Sequence, residues 1–243
     1  MSALIVTKKE QVGYLRLNMP DTGNRVSQDV IVQIAGELRA LGQDPALKAI
    51  VITGEGAHFC QGRDPGKPDP SAPAPTAVAL RAGMMQPIID VYRALREVRI
   101  PVIALVQGEA HGFGAALAAS ADITIASDDA RFSFPELKSN MPPTLAMATI
   151  IDRVPVKALA WLVYTSTVIN AAEAQRVGMV STVAPLNDLE RVAEDVIRHL
   201  VARDREALIG VKQFLAGARQ RDFNGAAEFG ANLLAVILSS SRK

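Results

Sequence analysis

The 243-residue sequence contains a single cysteine, Cys60, so no disulfide can form within one chain. Such sparing use of cysteine is typical of a reducing compartment, and we expect a cytoplasmic protein. Long apolar runs are also lacking, because runs such as 100–106 and 233–238 fall far short of the about 20 residues that span a bilayer. The N-terminal apolar stretch 3–6 is too short for a signal peptide, and its lysines follow it. We therefore expect no membrane partner.

Charge of one sign is not in excess either. The 26 Lys and Arg residues nearly cancel the 25 Asp and Glu residues, and no stretch concentrates the basic ones. A nucleic-acid surface needs clustered Lys and Arg, so we expect no nucleic-acid partner. The three histidines are scattered; His58 and Cys60 could supply two zinc ligands, but no carboxylate or further histidine is suitably placed nearby. We expect no metal site.

Short apolar runs of the kind that form strands recur along the chain. They occupy residues 12–17, 49–53, 101–106, 122–126 and 180–183. The first alternates apolar and polar residues as a half-buried strand does, whereas the others are continuous, as in strands buried on both faces. Helical patterns separate these runs, which predicts an α/β fold with a parallel sheet.

Helix signals divide the chain into two regions. Ser27 is a typical N-cap, and the apolar positions that follow it at helical spacing end at Gly42. From residue 188 onward the pattern is helical almost to the end. We therefore predict a core of residues 1–187 and a helical C-terminal region of residues 188–243.

One segment, residues 64–75, holds five prolines and one glycine, so neither a helix nor a central strand can run through it. Such a loop is either an active-site lid or an inert solvent loop, and the sequence leaves both readings open. In the helical segment 76–98 that follows, Pro87 predicts a break or kink. Four residues at helical spacing there either line a pocket or form plain core: Met84, Met85, Ile88 and Tyr92.

Two glycine-bearing loops follow apolar strands, at 56–64 and at 107–117. Ligands bind beyond the carboxyl ends of parallel strands, and glycine lets the backbone approach a ligand closely. A helix starting near Phe113 would leave free N–H groups, so the two loops could hold an oxyanion between two backbone donors. The alternative is that both are ordinary turns, in which glycine is common.

A third element ends in a carboxylate, Glu136, which directly follows Pro135. It lies between an apolar stretch and the Pro142-Pro143 pair. A glutamate held in an apolar pocket has a raised pKa and exchanges protons near neutral pH. The alternative is a solvated surface glutamate.

Four segments, in order and at matching spacing, resemble the signatures of the crotonase superfamily, the enoyl-CoA hydratase/isomerase family. Residues 59–64 read FCQGRD, and residues 101–123 read PVIALVQGEAHGFGAALAASADI. Residues 132–143 read FSFPELKSNMPP, and residues 171–185 read AAEAQRVGMVSTVAP. Each is modest evidence alone, and the four in register are strong evidence.

The resemblance implies an α/β fold, a crotonase-like spiral of ββα units with a helical C-terminal region. In the family that region builds homotrimers, often paired into hexamers, and the family's usual final helix would come after Ser239, which leaves trimer packing open. The substrate would be an acyl-CoA thioester of fatty-acid metabolism, with coenzyme A as part of the substrate and no permanently bound cofactor.

The resemblance also implies roles for particular residues. Glu136 matches a catalytic glutamate, and the backbone N–H groups of Arg63 and Phe113 match the oxyanion hole that holds the thioester oxygen as it becomes an enolate. Positions expected to contact substrate or coenzyme A are Arg25, Gln61, Gly62, Asp64, Gly112 and Ala116.

One departure from the family pattern bears on the reaction. Hydratases of the family carry a second glutamate where this chain has Ala116, and alanine can neither accept a proton nor orient water. The resemblance therefore favours an isomerase that uses Glu136 alone, rather than a hydratase, which would be a lyase. Hydration, thioester hydrolysis and decarboxylation remain alternatives, as does a non-catalytic binding relative. His111, on the loop before Phe113, is a candidate accessory acid/base because histidine titrates near neutral pH.

Overall fold

Two sheets form the frame of the molecule in the computed structural model, which describes residues 2–66, 71 and 73–240. The strands of these described residues are β1 (Leu4–Lys9), β2 (Val12–Leu17), β3 (Ala49–Gly54), β4 (Val102–Val106), β5 (Glu109–His111), β6 (Ile123–Ser127), β7 (Arg131–Ser133), β8 (Ile169–Asn170) and β9 (Thr182–Ala184). Their α-helices are α1 (Gln28–Gln43), α2 (Ala77–Leu80), α3 (Gln86–Glu97), α4 (Phe113–Ser120), α5 (Thr144–Ile150), α6 (Val156–Thr165), α7 (Ala171–Arg176), α8 (Leu189–Val201), α9 (Arg205–Ala218) and α10 (Phe223–Ser240).

The larger sheet has the strand order β1-β2-β3-β4-β6-β9. Within the described strands of this sheet, β1 and β2 form the one antiparallel pair and the other neighbours are parallel, so the predicted α/β fold with a parallel sheet is confirmed. The five predicted strands correspond to β2, β3, β4, β6 and β9. In the smaller sheet, ordered β5-β7-β8, β5 and β7 are parallel. Sequence patterns did not predict this sheet because its short strands mix polar and apolar residues and form no apolar run.

Helices cover both faces of the larger sheet. On one face, the apolar side of α1 packs into the main core through Ile31, Ile34 and Leu38, which are fully buried. On the other face, Leu189 and Ala193 of α8 join a second core with residues of β2, β3, β4 and β6. Helices α9 and α10 pack along each other. The boundary predicted at residue 187 stays a prediction.

The predicted helix after Ser27 is α1, and the Ser27 hydroxyl caps it by accepting a hydrogen bond from the Val30 N–H. Gly42 does not end this helix, as the sequence pattern had suggested, because α1 continues to Gln43. A Cβ at Gly42 would lie 2.8 Å from a methyl group of Val98. Glycine at this position therefore gives room for packing and is not a stop signal.

The distortion predicted at Pro87 is a π-helical turn, Arg81–Met85, between α2 and α3. Proline has no N–H to donate to the carbonyl four residues earlier, and that carbonyl, of Gly83, accepts a hydrogen bond from Gln28 Nε2 at 2.7 Å instead. The sequence left open whether four residues of this segment form core or line a pocket. Met84 and Met85 are exposed, whereas Ile88 and Tyr92 are buried.

Part of the proline-rich segment 64–75 lies outside the described residues, namely 67–70 and 72. The described remainder forms neither helix nor strand, as predicted. Its role as a lid or as an inert loop stays a prediction.

Candidate active site

The two glycine-bearing loops lie side by side beyond the carboxyl ends of β3 and β4. Backbone hydrogen bonds join them: the Cys60 N–H donates to Glu109 O at 3.1 Å, and the His111 N–H donates to Cys60 O at 3.0 Å. A side chain at Gly114 would collide with the Cys60 carbonyl oxygen, so this close approach requires glycine. The prediction that the two loops face each other is confirmed by these contacts.

The two expected oxyanion donors are free on the adjoining loops. Arg63 pairs with Val26 in a parallel bridge that uses the N–H groups of Val26 and Asp64, and leaves the Arg63 N–H unused. The Phe113 N–H is the first of α4, where a helix offers no internal acceptor. Among the described residues, neither N–H has a protein acceptor. Both are therefore available to a ligand oxygen.

Glu136 lies on a 3-10 turn, Pro135–Ser139, and its carboxylate lies directly over Gly112. A Cβ at Gly112 would come within 2.6 Å of Glu136 Oε1. The other oxygen, Oε2, is buried and accepts no hydrogen bond from any described residue. Burial raises the pKa of this carboxyl above its ordinary value. The sequence left open whether Glu136 lies in an apolar pocket or is a solvated surface residue. The structure places it in the less solvated environment.

His111 lies on β5 with both ring nitrogens near protein groups. Nδ1 is 2.8 Å from the Ser133 hydroxyl on the paired strand β7, and Nε2 is 3.7 Å from Glu109 Oε1. Burial lowers the pKa of the imidazole, although the nearby Glu109 carboxylate opposes that shift. The ring is therefore mostly neutral at pH 7, a form that can accept a proton.

A cleft of about 510 Å³ opens beside the two loops. It is lined by Pro20, Asp21, Thr22, Gly23, Arg25, His58, Gln61 and Asp64. Three of the residues expected to contact substrate or coenzyme A, Arg25, Gln61 and Asp64, thus come together in one cavity. The Gln61 amide also donates a hydrogen bond to the Glu109 carboxylate. Gly62 and Gly112 lie in the loop backbones, where both have positive φ angles.

Ala116 lies one turn into α4 and is fully buried. Its N–H donates to Gly112 O at 3.0 Å, so the residue is part of the helix that begins at Phe113. The nearby Cys60 thiol is buried as well, and burial raises its pKa to about 12, so it is not a nucleophile near pH 7. Within the described part of the chain, no three His, Cys, Asp or Glu side chains cluster to hold a metal ion.

Tyr92, which the sequence left open as pocket lining or plain core, borders this site. Its ring stacks on that of Phe113, with centroids 5.9 Å apart. The phenol also interacts electrostatically with Glu136. Helical spacing placed Tyr92 on the same face of α3 as Ile88. It could not show that α3 packs against α4, because that packing is a contact between distant parts of the chain.

Comparisons with known proteins identify relatives of this chain. A sequence model of the family described as "Enoyl-CoA hydratase/isomerase" matches residues 7–240. The "Probable enoyl-CoA hydratase echA8" of Mycobacterium tuberculosis is 34% identical over 187 residues, which are 76% of this chain and 70% of the relative. The "1,2-epoxyphenylacetyl-CoA isomerase" of Escherichia coli is 30% identical over 207 residues, 84% of this chain and 78% of the relative.

A solved structure shows the same fold. The enoyl-CoA hydratase of Mycobacterium smegmatis superposes with a TM-score of 0.88 at 24% identity, over 97% of this chain and 91% of that one. The predicted crotonase-like fold with a helical C-terminal region is therefore confirmed. No helix of the described residues has the length and apolar character needed to cross a membrane.

Proposed function

This chain belongs to the enoyl-CoA hydratase/isomerase family, and we propose that it is an enoyl-CoA isomerase in which Glu136 alone carries the proton. The observation that carries the proposal is the contact of the Glu136 carboxylate with Gly112, next to the free Phe113 N–H. On the same helix turn, Ala116 offers no second acid or base. Two relatives named for different reactions, a hydratase and an isomerase, are compatible with either chemistry on this fold.

The proposed reaction moves a double bond in a 3-enoyl-CoA. Glu136 removes a proton from the second carbon, and the thioester oxygen becomes an enolate held by the N–H groups of Arg63 and Phe113. The protonated Glu136 then returns its proton to the fourth carbon, which leaves a 2-enoyl-CoA and restores the carboxylate. One such oxyanion donor typically stabilises the transition state by about 3 kcal/mol.

Burial of Glu136 supports this role. A carboxyl with a raised pKa is a stronger base when ionised and still gives its proton back readily. Because Oε2 has no partner among the described residues, no protein hydrogen bond opposes proton transfer at that oxygen.

The cleft of about 510 Å³ is the proposed site of the coenzyme A portion of the substrate. Arg25 is the cation there that would contact a phosphate, and Gln61, Gly62 and Asp64 would contact the remainder. Coenzyme A enters as part of the substrate, and no permanently bound cofactor is proposed. Since the cleft adjoins the loops that carry the Arg63 and Phe113 N–H groups, one thioester could reach both.

Hydration is the second candidate, and His111 is the observation that favours it. A neutral imidazole on the loop before Phe113 is a proposed accessory acid/base in place of the glutamate missing at Ala116. Its neighbours Glu109 and Ser133 would hold the ring in position. Thioester hydrolysis and decarboxylation remain further alternatives.

We also propose a cytoplasmic homotrimer or hexamer. Large apolar side chains are exposed on α6 and on the C-terminal helices, namely Trp161, Tyr164, Leu215, Phe223 and Leu234. An apolar surface of this extent is typical of an interface. Light scattering at micromolar concentration would give three or six times the chain mass of 25.9 kDa, and a stable monomer would remove this proposal.

Product mass analysis tests the reaction. The protein is incubated in heavy water with a 3-enoyl-CoA and, separately, with a 2-enoyl-CoA, with Glu136→Gln as control. Double-bond migration without gain of water, lost in the control, supports the isomerase. A product heavier by one water supports hydration, and no change in either thioester overturns both.

A further inference from the structure

The 3-10 turn that carries Glu136 ends at a residue in an uncommon backbone conformation. The turn starts at Pro135, whose ring fixes its φ angle, and is followed by Asn140, which has φ 56° and ψ 25°. These angles are left-handed, a conformation that glycine adopts readily and that residues with a side chain mostly avoid. Asparagine adopts it more often than most, which suits it to the end of a turn.

Two backbone hydrogen bonds accompany this conformation. The Asn140 N–H donates to Leu137 O at 3.0 Å, and the Met141 N–H donates to Glu136 O at 3.1 Å. They are the two bonds of a Schellman motif, which needs a left-handed residue directly after the helical turn. One of the two acceptors is the backbone carbonyl of Glu136. The conformation of Asn140 therefore restrains the backbone from which the Glu136 carboxylate extends.

The carboxylate itself leaves little room for a shift of that backbone. Glu136 Oε1 lies so close to Gly112 that a Cβ there would come within 2.6 Å of it, and Oε2 is buried. Asn140, in contrast, is exposed, and the backbone of the turn is what joins it to the carboxylate. A change of the left-handed residue would thus reach the site through the turn.

We propose that Asn140 is a positioning residue, whose left-handed conformation holds the turn in the shape that places the Glu136 carboxylate against Gly112. Alanine at this position disfavours the left-handed conformation, so the turn relaxes and the carboxylate moves toward solvent. Glycine adopts the conformation freely and preserves the turn. This inference rests on the proposed function, because the activity that it concerns is proton transfer by Glu136.

Asn140→Ala and Asn140→Gly test the inference as a pair. The rate of double-bond migration in a 3-enoyl-CoA should show kcat about tenfold lower in the alanine variant. The glycine variant should stay within about twofold of the native chain, because it keeps the left-handed residue. Butanoyl-CoA, which has no double bond to move, should bind both variants with dissociation constants within about twofold of the native value, since the oxyanion donors and the cleft are unchanged.

The pKa of Glu136 gives a second measurement that does not depend on turnover. It is followed by NMR titration of chains that contain 13C-labelled glutamate, with Glu136→Gln to identify the signal. Burial raises this pKa in the native chain, so a carboxylate displaced toward solvent should titrate closer to the ordinary value of 4.5 in Asn140→Ala. Asn140→Gly should keep the raised pKa. A mere loss of stability would leave this pKa where it is.

Gln11→Ala is the matched control for backbone strain. Gln11 has φ 69° in the hairpin turn between β1 and β2, at the end of the sheet opposite to the two loops. Alanine there should lower the melting temperature by about 2–4 °C, as in Asn140→Ala, with kcat and the Glu136 pKa unchanged.

Three results would overturn this inference alone: native kcat and Glu136 pKa in Asn140→Ala, an equal loss of kcat in Asn140→Gly, or an equal loss in Gln11→Ala. If the native chain moves no double bond, the proposed function fails. The Glu136 pKa in the two Asn140 variants then still decides whether Asn140 places the carboxylate.

Discussion

The carboxylate of Glu136 lies against the α-carbon of Gly112, so closely that a Cβ there would come within 2.6 Å of Oε1. Gly112 also has φ 51° and ψ −113°, a backbone conformation that residues with a side chain rarely adopt. The peptide that follows carries the Phe113 N–H. The position of the carboxylate and the position of the oxyanion donor thus depend on one glycine.

Gly112→Ala should therefore damage activity more than stability. The added methyl group displaces the carboxylate, and a displacement of about 1 Å can cost about 100-fold in turnover. Backbone strain should lower the free energy of unfolding by about 1–2 kcal/mol. Steady-state kinetics and thermal melting measure both effects.

Gly36→Ala is the matched control. Gly36 lies in the middle of α1, and a Cβ there meets no atom within 4 Å. Alanine is the better helix former, so this change should leave activity unaltered and stabilise the chain by up to about 1 kcal/mol. Equal activity of the two alanine variants would show that the contact between Gly112 and Glu136 has no catalytic importance.

Glu136→Gln should raise stability at neutral pH. Because burial raises the carboxyl pKa, the folded state binds this proton more tightly than the unfolded chain, and stability is lost as pH rises from the ordinary value of 4.5 through the raised pKa. The neutral amide avoids this loss, and we expect a gain of about 1 kcal/mol at pH 7. Urea denaturation at pH 4 and pH 7 should show the gain at the higher pH and little difference at the lower.

The raised pKa of Glu136 should also determine how activity depends on pH. Glu136 must be ionised to remove a proton, so turnover should fall as pH drops through its raised pKa. The acid limb of the pH–rate profile should accordingly lie above pH 4.5. An acid limb at or below that value would contradict the buried environment of the carboxyl.

His111→Ala tests the accessory acid/base proposal. If the imidazole transfers a proton, its loss should lower turnover about 100-fold and remove one limb of the pH–rate profile. His111→Gln keeps a polar group beside Ser133 without a titrating proton, and should be as inactive as the alanine variant. Turnover and a pH profile unchanged in both would exclude His111 from the mechanism.

Lys212→Met should destabilise the fold without altering the site. Lys212 of α9 is buried, lies 2.7 Å from Asp122, and donates to the carbonyl oxygens of Leu95 and Ile100. Removing the cation leaves the partly buried Asp122 carboxylate without this charge partner, at a cost of about 3 kcal/mol. Lys157→Met, at an exposed position of α6, should change the free energy of unfolding by less than about 0.5 kcal/mol. Similar urea midpoints for both variants would refute this role of Lys212.

Much of the larger sheet could be predicted from the sequence because the patterns that indicate its strands are local. The strands β3, β4 and β6 are continuous apolar runs, and the first two lead into glycine-bearing loops. The strands β5 and β7 could not be predicted, since their three-residue sequences, EAH and RFS, contain no apolar run. Their pairing, which brings His111 beside Ser133, depends on contacts between distant parts of the chain.

Part of the candidate site could likewise be predicted from the sequence, and part of it could not. Resemblance to family motifs singled out Glu136, Arg63 and Phe113, and the loops that carry the latter two adjoin in the fold. Helical spacing named Tyr92 as pocket lining or core, but it could not place the ring beside Phe113, because that stack arises from packing between α3 and α4. Gly42 was misread as a helix stop for a related reason: its role is contact with Val98, which the sequence does not reveal.

The central claim is that Glu136 alone carries the proton. The most direct test is the rate of double-bond migration in a 3-enoyl-CoA, for the native chain and for Glu136→Gln. We predict that the glutamine variant, although folded and more stable at pH 7, is slower by at least about 1,000-fold. A rate within about tenfold of the native chain would mean that another group transfers the proton, and would contradict the account.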